Sequence, residues 1–243
     1  MIHSISNWSI QDPYPSKKLE EVVPISMRIQ CLIARNTNHE LLKENFISIS
    51  GAINMISGLE YHYQNFMEIV KLLSKGKNYK RPYLEHEIIA YINRVGQFYF
   101  FATSSLVKKI IPSILTQIPT IEHIYMFRRK HTGHRSIDRP FKEDTRHLQG
   151  VHAMSLTGMI GIHFEPKDKS KSLPQPKLQG RNNWSKLMKD HWKLGYAGYQ
   201  LNMGKDGIYN IFIEKDHSLI VNEAYSVFEK LFDLNTNYGN KLK

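Results

Sequence analysis

Apolar residues return every three or four positions over long stretches of the first half of this chain. Leu42, Phe46, Ile49, Ile53 and Ile56 take alternating steps of four and three, and Tyr63, Met67 and Val70 continue the stripe. That period predicts one long amphipathic helix from about residue 38, with Gly58 as a place where it bends or divides and Ser74-Lys75-Gly76 as its stop. A second long helix is expected over residues 83–110, with Ile88, Ile92, Val95, Tyr99, Ala102 and Leu106 on one face and Pro112 beyond its end. A third starts at Pro119-Thr120, with Thr120 as N-cap, Glu122 in the first turn and Ile121, Ile124 and Tyr125 facing inward. Residues 143–155 suit a shorter helix capped by Asp144. Later the period changes to two. Residues 157–164, 196–203 and 208–213 read as strands, the last two joined by a Gly-Lys-Asp-Gly turn. A final helix is expected after Asp216, which is read as its cap, with Leu219, Ile220, Ala224, Val227, Phe228 and Leu231 on its apolar face.

The fold class that follows is mainly α, a helical bundle with a small antiparallel sheet and a C-terminal helix. The expected divisions are residues 1–37 as an irregular arm and short element, 38–156 as the bundle, 157–235 as sheet plus helix, and 236–243 as a polar tail. Pro13, Pro15 and Pro24 punctuate the arm, residues 25–34 fit either a strand or a helix, and the Lys/Ser/Pro-rich stretch 166–182 reads as an exposed loop.

Some positions break the pattern. Glu60 falls on the apolar stripe, and a carboxylate turned inward calls for a cation. Residues 97–101 hold four aromatics in five positions; they circle the helix and so read as core, not as an exposed stacking ridge. Arg128 lies four residues past Ile124 and three past Tyr125, so it shares their inward direction, whereas Arg129 is turned about 100° towards solvent.

Charge then adds a partner class. The chain has 243 residues, 41% of them hydrophobic, and a formal charge of +11, which suits RNA or another polyanion. Cys31 is the single cysteine, so no internal disulfide can form and a reducing, cytoplasmic setting is expected. Neither a signal-type apolar segment nor a membrane-length apolar run is present in the sequence.

The densest chemistry lies in residues 127–140, FRRKHTGHRSIDRP, with four arginines, one lysine and two histidines. Crowded cations need a carboxylate, phosphate or nucleic-acid backbone as partner. The core of this segment, from Phe127 to Asp138 at the end of a late helix, resembles the Arg-X4–6-His signature of HEPN-type helical domains. The likeness spans about residues 40–155. It implies an up-down four-helix bundle, often dimeric, and in active members metal-independent cleavage of RNA. Arg128 with His134 gives Arg-X5-His, and Arg129 with His134 gives Arg-X4-His; the helical phase favours Arg128. Arg129 stands where the family usually has Asn, Asp or His.

Cleavage through a 2′-hydroxyl needs a base of near-neutral pKa and a cation for the phosphorane, so His134 and Arg128 are the candidate catalytic pair. Arg129, Lys130, His131 and Arg135 are candidates for holding phosphate or RNA. Glu60, Glu87 and Asp138 are the supporting carboxylates, Asp138 by pairing with Arg135. The alternative is a non-catalytic interaction module with a protein partner, in which Arg128 bonds Glu60 or Glu87 between helices and His134 caps a helix end. His131, His134, His147 and His152 lack a metal-binding spacing, and nearby arginines would repel a cation. No cofactor motif of the phosphate-loop or dinucleotide type occurs.

Overall fold

In the computed structural model the described residues are 24–35, 39–77, 81–131, 161–174, 188–202 and 208–232. Seven α-helices and one three-stranded antiparallel sheet occur among them. They are α1 (Ile25–Arg35), α2 (His39–Ser74), α3 (Arg81–Ala102), α4 (Ser105–Ile110), α5 (Pro119–His131), β1 (Gly161–Pro166), α6 (Lys189–Leu194), β2 (Gly195–Asn202), β3 (Ile208–Ile211) and α7 (Ile213–Leu231). A 3-10 turn, Ile114–Gln117, precedes α5.

The 36-residue α2, kinked at Asn45, is the backbone of the bundle. It runs continuously through Gly58; its one non-helical residue is Asn45, whose side chain bonds the Leu41 carbonyl. Such side-chain competition for a helix carbonyl is the physical cause of an irregularity that the sequence reading had placed at Gly58. The second expected helix is observed as two helices. It stops at Ala102, and Ser104 caps α4 by accepting from the Val107 amide.

Ile49, Ile56, Leu59, Phe66 and Leu73 of α2 face Ile88, Ile92, Val95 and Phe98 of α3 in the core. Ile121, Ile124 and Phe127 of α5 close it from one side, and Ile220, Ala224, Val227 and Phe228 of α7 from another. Phe228 lies 5.6 Å from Phe101 and 6.1 Å from Phe98, ring centre to ring centre. The sheet, in order β1-β2-β3, pairs Phe164 with Ala197 and Tyr199 with Ile211. Trp192 of α6, fully buried, meets Phe164 edge-on. All these residues belong to one hydrophobic core, which is where most of the favourable free energy of folding comes from.

Two helix starts differ from the sequence expectation, and a third decides between the alternatives it left open. Thr120 lies inside α5, and its amide and that of Ile121 both donate to the Glu223 carboxylate of α7, each at 2.9 Å. Asp216 lies in the first turn of α7 and accepts from the Phe212 amide. Residues 25–34 are helical, and Glu60 of α2 accepts hydrogen bonds from the Ile25 amide and from the Ser26 amide and hydroxyl. Twice, then, a carboxylate from one helix satisfies the free amides at the start of another, which are short of partners in any helix. Among the described residues no helix is long and apolar enough to cross a membrane.

Candidate phosphate-binding site

Helix α5 delivers the motif, and its phase decides which cation goes where. Arg128 is half-buried against α3 and Arg129 is exposed. The Arg128 Nε donates to Asn93 Oδ1 at 2.9 Å. Its stem lies across Gly96: a Cβ built there would stand 2.4 Å from Arg128 Cδ and 3.0 Å from Nε. A side chain at position 96 would force the Arg128 stem to shift. The amide of Asn93 is neutral, so it orients the guanidinium without neutralising it. The same device occurs one seam away, where Arg94 lies over Gly58, its Nε 2.8 Å from a Cβ position, and donates to Gln97.

The carboxylates expected to serve Arg128 are placed elsewhere. Glu60 binds the start of α1, as described, and Glu87 bonds His62 Nδ1 at 2.7 Å. Neither therefore braces Arg128. The physical reason is local competition: bare helix amides take Glu60 and a histidine takes Glu87. The described side chains of α5 end at Arg129; Lys130 and His131 continue the helix backbone, while His134, Arg135 and Asp138 lie outside the described residues, as do His147 and His152.

The aromatics of α3 divide. Phe98 and Phe101 are buried as expected. Phe100 is 50% exposed, which corrects its reading as core. Tyr99 stacks on Tyr125 of α5 with ring centres 3.9 Å apart and planes 11° from parallel, and Phe100 meets Tyr125 at 79° and 5.3 Å. Burial and the carboxylate of Glu122 raise the Tyr99 hydroxyl pKa, while Arg129 pulls it down.

A second polar cluster joins α2, α3 and α7. His217 stacks on Tyr63 at 3.5 Å, the rings nearly parallel, and its Nδ1 lies 3.0 Å from the hydroxyl of the fully buried Tyr91. Burial depresses the His217 pKa to about 4. The neutral ring at pH 7 can then accept at Nδ1 from the tyrosine. Burial also raises the Tyr91 pKa well above its ordinary value, and raises that of Asp216. Two titratable groups held in their neutral forms make this a packed structural joint.

Among the described residues no group of three or more His, Cys, Asp or Glu side chains could hold a metal ion. No family model, curated protein or solved structure matches the chain. The arrangement of its own side chains must therefore carry the functional reading.

Asn93, Gly96 and the Tyr99–Phe100–Tyr125 group were missed in the sequence as parts of this site. Gly96 did leave a signal. A glycine inside a helix costs roughly 1 kcal/mol relative to alanine, so one in the middle of α3 calls for a packing reason, and Arg128 supplies it.

Proposed function

We propose that this protein binds RNA, or another phosphate-bearing ligand, at the C-terminal end of α5, as a HEPN-like helical protein. The observation that carries this reading is the Arg128 guanidinium, held in fixed orientation over Gly96 by the neutral amide of Asn93. An amide partner orients an arginine without neutralising it, and guanidinium donors suit phosphate oxygens. The neighbouring Arg129 is exposed, and the chain as a whole carries +11, which draws polyanions to it. In this proposal Arg128 clamps the phosphate, while Arg129, Lys130, His131 and Arg135 attract the backbone. His134 acts as acid or base in cleavage at the 2′-hydroxyl, without metal.

The test is incubation of the protein with mixed RNA in EDTA beside His134→Ala and Arg128→Ala. Cleavage to 2′,3′-cyclic phosphate ends, lost in both variants while they remain folded, is the expected result. A wild-type protein that neither binds nor cuts RNA overturns the proposal.

A second reading rests on the same geometry. The Asn93 bond and the Gly96 slot also make Arg128 a brace between α3 and α5. A protein in which Arg128→Ala lowers the melting temperature sharply, with no RNA binding in the parent, is an interaction module, alone or as a homodimer.

A further inference from the structure

Face by face, α5 carries more than its two arginines. Glu122, Tyr125, Met126 and Arg129 stand at i, i+3, i+4 and i+7 and so share one side of the helix. Met126 is 36% exposed and Arg129 is exposed. Tyr99 and Phe100 of α3 lie against this side, through the parallel Tyr99–Tyr125 pair and the perpendicular Phe100–Tyr125 contact. The outcome is a corner of aromatic rings, open at Phe100, with a guanidinium at one end and a carboxylate at the other. On α3, Phe100 stands one turn beyond Gly96, the residue under Arg128. The corner and the clamp are thus neighbours in the same α3–α5 seam, about 5 Å apart along the axis.

We propose that this corner is a stacking site for an unpaired nucleotide base, adjoining the phosphate clamp. The proposal rests on the phosphate-binding reading above and specifies the form of nucleic acid that the site takes. An unpaired base offers a flat π face that stacks on aromatic rings, while a duplex hides its base faces and presents phosphates and groove edges. Both features are needed to choose this occupant. An exposed ring alone would suit an apolar protein knob equally well, but Phe100 on its half-buried tyrosine pair, beside Arg128 and Arg129 in a chain of charge +11, suits a ligand that is aromatic and anionic in the same unit. Glu122 gives the strand a direction. Its charge excludes phosphate from its own end, about 10 Å along α5 from Arg129, so the sugar-phosphate backbone runs on the arginine side.

The experiment is fluorescence anisotropy of the full chain with a labelled oligothymidylate DNA, which has no 2′-hydroxyl to be cut, and with a labelled RNA duplex. Phe100→Ala and Tyr125→Leu are compared with the parent, and Phe100→Leu keeps an apolar side chain in place should Phe100→Ala fold poorly. The expected result is single-strand affinity about tenfold weaker in each ring variant, duplex affinity unchanged, and Arg129→Ala weakening both. Ring variants that bind single strands as well as the parent, while Arg129→Ala weakens binding, overturn the stacking site and leave the phosphate reading standing. A parent that binds neither nucleic acid overturns both. A parent dimer that Phe100→Ala converts to a monomer, with single-strand binding unchanged, reassigns the corner to self-association and also overturns the proposal.

Discussion

Helix α3 meets two polar side chains from later in the chain, and it treats them in opposite ways. Towards α5 it offers Gly96 and Asn93, a gap and a neutral acceptor, and Arg128 remains a cation at a half-buried boundary. Towards α7 it offers the buried Tyr91, and His217 is dehydrated until its pKa falls to about 4. One seam keeps a charge and the other suppresses it. At the first seam an oriented guanidinium lies beside an exposed arginine. A neutral imidazole wedged between two tyrosines mainly joins elements. The comparison thus sets a polar, charged α3–α5 seam against a neutral α3–α7 joint.

The strongest way to break the comparison is to remove the joint. Tyr91→Ala empties a fully buried ring site and is expected to cost about 3–5 kcal/mol, close to the range for buried aromatic truncations. Chemical denaturation measures it. If the protein survives folded, its nucleic-acid affinity should be that of the parent; a selective loss of binding would place function at the wrong seam.

Acid tests the same joint more gently. His217 has a folded pKa of about 4 against an ordinary value near 6.5. The unfolded chain therefore binds the proton first as pH falls. Stability should be fully present above about pH 6.5 and decline towards pH 4, by up to about 3 kcal/mol. Asp216 acts with the opposite sign, because its pKa is raised by burial; its protonation in the fold offsets part of the loss at the acid end. Tyr63 and Tyr91, the other groups against the ring, stay neutral throughout this range. Melting temperature against pH for the parent and for His217→Phe checks the point. A variant whose stability falls as steeply as the parent's between these pH values would show that another group is responsible.

The smallest effect is also the most specific. Gly96→Ala drives a methyl into the Arg128 stem, an overpacking cost of about 1–3 kcal/mol against a helix-propensity gain of roughly 1 kcal/mol. Adding Arg128→Ala in the same chain should recover stability, because the clash has gone. Gly51 of the long helix has nothing within 4 Å of its Cβ position, so Gly51→Ala should stabilise by roughly 0.5–1 kcal/mol. Denaturation midpoints of the parent, Gly96→Ala, Arg128→Ala and the double variant complete the cycle, with Gly51→Ala as the control. Additive effects of Gly96→Ala and Arg128→Ala would mean that the slot does not hold the arginine.

Much of the helical layout was readable because it is local. A 3.6-residue period states which positions lie on one side, and that alone separated the half-buried Arg128 from the exposed Arg129. The same logic mistook Phe100 for core, since a run of aromatics says how many sides of a helix are apolar and not which side a neighbouring helix leaves uncovered. Glu60 shows the other limit. Its inward position on α2 was legible, but its partners, the first amides of α1, depend on where a different helix happens to begin.

The sequence by itself determined the mainly helical class, the three strand-forming segments and the crowding of cations at the end of α5. Period, turn residues and composition are properties of neighbours in the chain, so they need no tertiary knowledge. Only the tertiary structure decided that Glu223 starts α5, that Gly96 lies under Arg128 and that Tyr91 meets His217. The last pair are 126 residues apart. Contacts of that kind arise when helices choose their packing partners to bury apolar surface, and the polar atoms then bond whatever the packing has brought within reach.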